Sequence, residues 1–310
     1  MWAIETRALR KVFRPLLGGT PIVAVESLDL QVPLGGVFGL LGPNGAGKTT
    51  TIQVLIGNVR PTSGEAFVLG YRAGAVQAKR KLGFLPEKFQ FHDFLTAEEF
   101  LWMHGQLAKV NPKRLRKRID EVLELVGLAE RRKSRIREFS KGMQQRIGLA
   151  QAIIHDPELV ILDEPTSALD PLGRRRVREV IQYLKEQGKT VILNSHLLSE
   201  VEMSCDRVAI LNKGRVVKQG TLEELLVNRS VVTLELKQVT PAVLEALQRV
   251  AVKVDRIDEH RVVAEVASEE DVPLLARAVV LDAGGALMGM QAKRETLEDL
   301  FIQTVEGEGK

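Results

Sequence analysis

Roughly the first two thirds of the chain alternate short apolar runs with stretches whose apolar residues recur at helical spacing. Continuous apolar runs are typical of strands that are buried on both faces of a sheet, so this pattern predicts an α/β core. Between Leu95 and Arg137 the pattern is wholly helical and highly charged. That stretch predicts an inserted helical subdomain over about residues 95–150. The apolar runs are residues 37–41, 159–162, 191–193 and 208–211.

The remaining part of the chain has strand-like and helical segments in the order βαββαβ. This order matches the split βαβ, or ferredoxin-like, arrangement of an α+β domain. We therefore predict a first domain of residues 1–227 and a small C-terminal α/β accessory domain of residues 228–310, which carries no chemistry of its own. The segments are 231–236, 241–248, 252–257, 261–266, 269–281 and 286–291.

Composition and charge limit the partners. The 310 residues are 45% hydrophobic and 27% charged, as in an ordinary soluble globular protein. The net charge of +4, from 44 basic and 40 acidic residues, is too balanced to predict a nucleic-acid partner. Basic residues cluster at 113–118, 131–137 and 174–176. We interpret these clusters as solvated helix faces; the alternative is an anionic partner, for example lipid headgroups beside a membrane complex.

The sequence gives no sign of a membrane span or a disulfide. No apolar run approaches the roughly 20 residues that cross a bilayer, and the N-terminus lacks the pattern of a secretion signal. Any membrane association is therefore expected to come through a partner. Cys205 is the only cysteine, so no internal disulfide can form, and we expect it to be buried as a small hydrophobic residue.

A glycine-rich loop follows the first buried apolar run and precedes a helical stretch. Its glycines let backbone N–H groups converge on phosphate oxygens, and the helix N-terminus adds a partial positive charge. Lys48 can reach the β- and γ-phosphates, and the Thr49 hydroxyl can bind Mg²⁺. The segment therefore predicts a nucleoside triphosphate site. Its residues are Gly42, Pro43, Asn44, Gly45, Ala46, Gly47, Lys48 and Thr49, followed by Thr50.

The apolar run 159–162 ends in two carboxylates, Asp163 and Glu164. In an open α/β sheet the carboxyl ends of the strands face the ligand crevice. Asp163 suits Mg²⁺ held through water, and Glu164 can orient and deprotonate the attacking water. Alone, the pair would be read as an exposed turn before Pro165, but beside a phosphate loop the functional interpretation is favoured.

Three further segments resemble the ATP-binding cassette (ABC) family. Residues 139–146, Phe-Ser-Lys-Gly-Met-Gln-Gln-Arg, are similar to its signature motif. Residues 167–170 resemble its D-loop, and residues 194–196 resemble the segment that carries its switch histidine. With the phosphate loop they occur in the family's order. The resemblance covers about residues 4–220 and implies ATP and Mg²⁺ as cofactors.

The resemblance implies a role for each matching residue. Phe13 would stack on adenine, although a packed core aromatic is the alternative. Lys48 and Thr49 would hold phosphate and Mg²⁺, Asp163 would support the metal, and Glu164 would be the general base. His196 would contact the γ-phosphate. Ser140 and Gly142 would bind the γ-phosphate of a second copy's nucleotide, and Asp170, in the segment that resembles the D-loop, would also belong to the nucleotide-binding residues.

Three positions depart from the common family pattern. Lys141 stands where glycine is usual, Met143 where glutamine is usual, and Glu87 replaces the Q-loop glutamine. A glutamate can still offer an oxygen to Mg²⁺, but it adds negative charge beside the phosphates, so the metal role of Glu87 is left open. These departures look like the ABC-2 type export branch. Residues 296–301 are similar to the closing motif of its ATPase subunits.

The leading prediction is therefore an ATPase subunit of an ABC-2 type exporter. It would work as a homodimer under separate membrane-spanning permease subunits, on the cytoplasmic face of the cell membrane, with no nucleic acid. One alternative is a non-transport ABC ATPase acting on nucleic acid or ribosomes, which usually joins two cassettes or inserts a coiled coil. Another is an importer ATPase, whose tail is more often a small β-barrel. Nothing in the chain predicts the transported substrate.

Two surfaces are candidates for protein contacts. Phe89, Phe91 and Phe94 form an apolar group that would meet a cytoplasmic helix of the membrane subunit, with core packing as the alternative. The predicted strand 231–236 and helix 297–301 offer apolar faces for pairing with a second copy. Such a C-terminal domain would keep two cassettes close to each other.

Overall fold

The computed structural model describes residues 1–15, 19–167, 169–226, 230–294 and 296–307. The chain divides into two compact units, one of residues 1–221 together with residues from 304 onward, and one of residues 222–303. None of the described helices combines the length and the apolar character needed to cross a bilayer.

The first unit contains eleven strands and seven α-helices among its described residues. In its first half lie β1 (Trp2–Phe13), β2 (Ile22–Leu28), β3 (Gln31–Pro33), β4 (Gly36–Leu41), α1 (Lys48–Leu55), β5 (Ser63–Val68), β6 (Tyr71–Arg72), α2 (Val76–Arg80) and β7 (Leu82–Leu85). In its second half lie α3 (Ala97–Leu107), α4 (Pro112–Leu125), α5 (Lys141–Ile153), β8 (Leu159–Asp163), α6 (Pro171–Glu186), β9 (Thr190–Asn194), α7 (Leu198–Ser204), β10 (Arg207–Asn212) and β11 (Arg215–Thr221).

A six-stranded sheet forms the centre of this unit, in the order β11-β10-β4-β9-β8-β7. Its strands are parallel except for β11, which forms a hairpin with β10. Every residue of β8 and β9 is buried, because helices cover parallel sheets on both faces. The predicted α/β core is confirmed. The buried Cys205 lies against Gly39 of β4, so the expectation of a buried cysteine is also confirmed.

A second, antiparallel sheet has the order β2-β1-β5-β6, and β3 also pairs with β1. Its apolar residues share one core with β4 and α1. The phosphate loop between β4 and α1 is therefore fixed at both ends by buried strands and a buried helix face.

The segment between β7 and β8 is helical, as predicted. Each of its three helices begins with a polar side chain that accepts a hydrogen bond from a free backbone N–H: Thr96 for α3, Asn111 for α4 and Ser140 for α5. Helices α3 and α4 approach closely at Gly105, where an added Cβ would lie 2.2 Å from a methyl carbon of Leu115. The subdomain thus presents the N-terminus of α5 from a rigid helical support.

The second unit has the order of elements that the sequence predicts. It begins with α8 (Leu222–Leu225), β12 (Ser230–Leu236), α9 (Pro241–Gln248), β13 (Lys253–Arg256) and β14 (Arg261–Val266). It continues with α10 (Val272–Arg277), β15 (Leu287–Arg294) and the first part of α11 (Leu297–Gly307), a helix whose residues from 304 onward are counted with the first unit. The end of the predicted helix 269–281 is a π-helical turn over Ala278–Asp282.

Its four strands form an antiparallel sheet in the order β13-β14-β12-β15, which is the strand order of the ferredoxin-like arrangement. Alternate residues of β12, namely Val232, Leu234 and Leu236, are buried with alternate residues of β14 against the helices. The α+β prediction for this part of the chain is therefore confirmed. The domain boundary at 227/228 falls on residues outside the described part and stays a prediction.

Candidate nucleotide-binding site

The phosphate loop connects the end of β4 to the start of α1. Two of its glycines occupy positions that no other residue could take. Gly42 has φ 155° and Gly47 has φ 97°, and an added Cβ would lie 2.4 Å from the Leu211 carbonyl oxygen or 2.5 Å from that of Ala24. The Ala46 N–H donates to the Pro43 carbonyl, which closes the turn. The backbone is thus held in the curved conformation that can receive an anion.

The N-terminus of α1 is open at this loop. Gly47 gives no side-chain cap, and the first turn contains no acidic residue. Thr49 is exposed and Thr50 is half-buried in that turn, while Asn44 and Gly45 are exposed at the loop's tip. Free N–H groups and the positive end of the helix dipole therefore face solvent here.

Lys48 lies inside the loop. Its Nζ donates to the carbonyl oxygens of Gly42 (2.6 Å) and Pro43 (3.2 Å). Burial lowers the pKa of Lys48, and the carboxylates of Glu164 and Asp163 act in the opposite direction. The loop and the carboxylates that follow β8 therefore belong to one electrostatic site.

Asp163 is the last residue of β8 and is 4% exposed. Its Oδ1 accepts a hydrogen bond from Asn194 Nδ2 at 2.5 Å, because β8 and β9 are neighbours and the two residues are paired in register. Burial raises the pKa of Asp163, and Glu87 raises it further, while Asn194 and Lys48 oppose this shift. Asn194 Oδ1 is buried without a hydrogen-bond partner among the described residues.

Glu164 follows Asp163 with a φ of 53°, a left-handed conformation that is costly for this residue type. Its N–H donates to the Asn194 carbonyl. Its two carboxylate oxygens accept from the backbone N–H of His196 (2.9 Å) and from His196 Nδ1 (2.7 Å). A carboxylate only accepts, so the Nδ1 nitrogen carries the proton. Three hydrogen bonds thereby hold the strained residue, one to the end of β9 and two to His196 just beyond it.

The signature residues lie on a cleft that does not include the phosphate loop. Ser140 caps α5 by accepting from the Met143 N–H, and Asp170 caps α6 by accepting from the Gly173 N–H. Ser140, Gly142 and Asp170 line one cleft of about 820 Å³, and none of the described residues of the phosphate loop borders it. The cleft therefore presents two helix N-termini beside several basic side chains: Lys141, Arg146, Arg175 and Arg176.

Comparison with known proteins agrees with this geometry. The sequence profile of the ABC transporter family matches residues 25–167. An uncharacterized ABC transporter ATP-binding protein of Synechocystis is 41% identical over 99% of this chain and 85% of that protein. The chain belongs to the ATP-binding proteins of ABC transporters. The predictions of this family and of its ATP-hydrolysing activity are confirmed.

Other members of the ABC family are similar along most of their length. The linearmycin resistance ATP-binding protein LnrL of Bacillus subtilis is 37% identical over 90% of this chain and 92% of LnrL. The bacitracin transport ATP-binding protein BcrA of Bacillus licheniformis is 34% identical over 92% of this chain and 93% of BcrA.

Solved ABC structures have the same fold. One is the ATP-binding subunit of an ABC transporter, with 32% identity, a TM-score of 0.65, and coverage of 72% of this chain and 91% of that one. Another is a dimeric ATP-binding cassette in a post-hydrolysis state with ADP and Pi, with 25% identity, a TM-score of 0.65, and coverage of 71% and 98%. The predicted P-loop fold is confirmed.

Within this ABC subunit, Phe13 lies at the end of β1 and is 42% exposed. The Lys11 ammonium lies 4.8 Å from its ring centroid. The alternative that Phe13 is a core residue is therefore wrong. An exposed ring remains available for stacking, and its contact with adenine stays a prediction.

Glu87 is exposed in the segment between β7 and α3, and so is Gln90. The influence of Glu87 on the pKa of Asp163 shows that its charge is felt at the end of β8. Among the described residues, no group of three or more His, Cys, Asp or Glu could hold a metal by itself. The metal role of Glu87 stays a prediction.

Sequence reasoning missed the contacts that hold Glu164 in place. The amide of Gln145 on α5 donates to the Glu164 carbonyl at 3.4 Å, and the Ser167 hydroxyl donates to the same oxygen at 3.2 Å. The sequence signal for Asn194 was its place directly after the apolar run 191–193, but only the structure shows that this strand lies beside the strand that ends in Asp163. Ala168 of the D-loop lies outside the described residues.

Proposed function

We propose that this ABC ATPase powers an ABC-2 type exporter. It acts as a homodimer beneath separate membrane-spanning permease subunits, at the cytoplasmic face of the cell membrane. The observation that carries the dimeric mechanism is the location of Ser140 and Gly142 on a cleft that the phosphate loop does not border. A second copy that faces the first can bring one chain's signature residues to the other chain's nucleotide.

Export is supported by what the relatives are named for. LnrL and BcrA are named for linearmycin resistance and bacitracin transport. The daunorubicin/doxorubicin resistance protein DrrA of Streptomyces peucetius is 39% identical over 72% of this chain and 66% of DrrA. Lys141, Met143 and Glu87 are the departures that resemble the same branch. The small antiparallel α+β second unit differs from the β-barrel tail expected for an importer.

ATP binding is assigned to the phosphate loop. The open N–H groups of Gly45, Gly47 and the first turn of α1 would bind the phosphate oxygens. Lys48, which the loop's own carbonyls hold in place, would exchange these contacts for the β- and γ-phosphates. The exposed Phe13 would stack on adenine.

The residues present fit a Mg²⁺ ion held jointly with the phosphates. Mg²⁺ in nucleotide sites is bound by one or two carboxylates or hydroxyls and by phosphate oxygens, with water completing the shell. The Thr49 hydroxyl and the Asp163 carboxylate supply that set, and the unpartnered Asn194 Oδ1 can accept from a coordinated water. When bound, the ion would neutralise charge on the β- and γ-phosphates.

Hydrolysis is assigned to Glu164 and His196. The water oxygen attacks the γ-phosphorus, the bond to the β,γ-bridging oxygen breaks, ADP leaves, and the water's proton passes to Glu164. In this structure each Glu164 oxygen already accepts a hydrogen bond from His196. We infer that His196 turns from Glu164 towards the γ-phosphate when the second copy closes, which frees the base to accept from water.

The second copy would complete the site. The N-terminus of α5 offers free N–H groups, and the Ser140 hydroxyl, now a helix cap, can donate to a phosphate oxygen. Asp170 anchors the start of α6 beside them. The solved relative in a dimeric state with ADP and Pi supports this arrangement.

Contact with the permease is assigned to the segment before α3. Phe89 and Phe91 are half-buried, with ring centroids 4.5 Å apart, and both pack against Phe100. For these two residues the core alternative fits. Phe94 is 63% exposed, so it is the aromatic residue that a cytoplasmic helix of the permease can reach.

The experiment that tests the proposal is copurification with the membrane protein encoded beside this chain. The wild-type subunit should bind that protein, and the complex should hydrolyse ATP faster than the isolated chain. Phe94→Asp should release the membrane protein while the basal ATPase persists. The matched control is Val76→Asp on α2, where Val76 is equally exposed at 63%, and this variant should keep the membrane protein bound. Failure of the wild-type chain to bind any membrane protein would argue for a non-transport ABC ATPase instead.

A further inference from the structure

The tip of the α3–α4 hairpin carries an unusual charge pattern. Between Phe100 and Ile119 the chain has six basic residues and no acidic one. Lys109 lies in the loop that connects α3 to α4, and the other five lie in the first two turns of α4. All except Arg118 are exposed. The six are Lys109, Lys113, Arg114, Arg116, Lys117 and Arg118, and we call this surface, together with Trp102 and Leu107, the basic tip.

Local helix energetics do not explain these charges. The first turn of α4 has no acidic residue, and cations at a helix N-terminus oppose the helix dipole. Lys113 and Lys117 are four residues apart and Lys113 and Arg116 three apart, so like charges are neighbours on one face. Lys109 has a φ of 60°, in the left-handed region that favours glycine. These local effects destabilise the start of α4, which indicates that the cations there serve another purpose.

Only part of the charge is neutralised within the chain. Arg114 is paired with Asp156 at 2.8 Å, and Arg118 with Glu121 at 3.0 Å. Among the described residues, Lys109, Lys113 and Lys117 have no ion pair. These lysines are therefore free to meet an external anion.

The same surface has an apolar component. Leu107 is 73% exposed at the end of α3. Trp102 is half-buried one and a half turns earlier, and the Arg116 guanidinium lies 5.9 Å from its ring centroid. Free lysines beside an exposed leucine and a tryptophan are the combination that binds an anionic bilayer surface. The cations meet the headgroups, the leucine enters the acyl boundary, and the indole lies at headgroup level.

We propose that the basic tip binds anionic lipid headgroups of the membrane. An exposed leucine among the cations favours a bilayer over nucleic acid, because base stacking needs an exposed aromatic face. The proposal goes beyond the exporter function and does not depend on it, since the chain can meet a bilayer without a permease.

The test uses the full-length chain and two kinds of vesicle, phosphatidylcholine alone and phosphatidylcholine with phosphatidylglycerol. The wild-type chain should sediment with the second kind only, and less so as salt is added. Lys113→Gln with Lys117→Gln should weaken binding by about fivefold for each charge removed. The matched control is Lys79→Gln with Arg80→Gln on the exposed part of α2, which should bind as the wild type does.

Two further measurements separate a lipid site from a structural role. The lysine variant should keep its ATPase activity and unfold at the same or a higher temperature, because it loses unfavourable helix charges. The chain has two tryptophans, so Trp2→Phe leaves Trp102 as the reporter. Its emission should shift to the blue with phosphatidylglycerol vesicles only.

Equal binding to both vesicle types would overturn the proposal, as would equal loss in the lysine variant and in the α2 control. A lysine variant that binds vesicles normally but no longer binds single-stranded RNA would assign the basic tip to nucleic acid instead.

Discussion

The two halves of the proposed ATPase site differ in how completely they are satisfied within one chain. At the phosphate-loop end, Lys48, Asp163 and Glu164 each have hydrogen-bond partners from neighbouring strands or from the loop itself. At the signature end, Ser140 and Asp170 only cap their own helices and line an open cleft. The phosphate-loop half is held in place by hydrogen bonds before ATP binds, whereas the signature half is an open surface.

This difference predicts that an isolated subunit binds ATP but hydrolyses it slowly. Buried charged groups need partners, so the phosphate-loop half has to be organised by the fold. Helix N-termini can remain exposed because water satisfies them. The signature half can therefore stay exposed until a second copy binds, without lowering the stability of the first copy.

The largest effect is expected from Glu164→Gln, which removes the proposed base from the organised half. The amide side chain can still accept from the His196 N–H, so the geometry and ATP binding should persist. Hydrolysis should slow by about a hundred- to ten-thousandfold, and the ATP-bound dimer should accumulate. Single-turnover kinetics and size-exclusion chromatography with ATP measure both effects.

The control for that variant is Glu158→Gln, which lies just before the opposite end of β8 and pairs with Lys81 on the surface. It should hydrolyse ATP as the wild type does. Wild-type turnover in Glu164→Gln would show that Glu164 is not the base.

The next effect concerns the open half. Ser140→Ala removes one donor to a phosphate, so dimer-dependent hydrolysis should fall by about a hundredfold while ATP binding to the isolated chain is unchanged. Thr96→Ala is the matched control, because Thr96 caps α3 as Ser140 caps α5. Both changes should lower the free energy of unfolding by about 1 kcal/mol. Equal loss of activity in the two variants would show that Ser140 acts only as a cap.

A smaller effect concerns the stability of the organised half. Burial raises the pKa of Asp163 above 3.8, so folding favours its neutral form and ionisation costs stability at neutral pH. Asp163→Asn should therefore raise the free energy of unfolding at neutral pH while abolishing Mg²⁺-dependent hydrolysis. The gain should be complete above the native pKa, shrink as the pH falls through it, and vanish below the unfolded value. Urea unfolding of the nucleotide-free protein across this range measures it.

Asp156 provides a comparison of opposite sign. Burial acts to raise the pKa of Asp156, but Lys189 and the nearby arginines outweigh it, so the pKa is lowered. Asp156→Asn should then lose stability at neutral pH, and the loss should shrink as the pH falls below the unfolded value. If both asparagine variants shift in the same direction, the electrostatic explanation fails.

The smallest effect is expected from the accessory domain that we propose over residues 228–310. If it keeps two cassettes near each other, ending the chain after Asn228 should leave ATP binding intact. The protein concentration for half-maximal ATPase activity should rise several-fold, because the two cassettes would no longer be held at a high effective concentration. An unchanged concentration dependence, measured by titrating the protein, would leave regulation or permease docking as the role of that domain.

Local sequence pattern predicted four strands of the central sheet, the phosphate loop and the order of elements in the second unit, but not the antiparallel sheet of β1, β2, β3, β5 and β6. The glycine loop, the buried strands and the βαββαβ order were predicted because apolar periodicity and glycine positions are properties of short segments. The contact between Glu164 and His196 could not be predicted in this way. The two residues are 32 positions apart, and they meet because β8 and β9 are adjacent in the sheet.

Four phenylalanines show the same limit of prediction from the sequence. Phe13, Phe89, Phe91 and Phe94 look alike in the sequence, yet Phe13 and Phe94 are exposed while Phe89 and Phe91 pack against Phe100. Burial depends on which other segments arrive beside a side chain, and a single segment does not contain that information.

The sequence by itself determined which groups are available for the proposed chemistry: a glycine-rich loop, two carboxylates after an apolar run, and a segment that resembles the ABC signature. Only the tertiary structure decided that Asp163 is buried against Asn194, that Glu164 is held by His196, and that the signature lies on an open cleft. Residue type and spacing fix which groups are available, because they are local. Partners and burial are set by strand order and helix packing, which bring together residues that are distant in the chain.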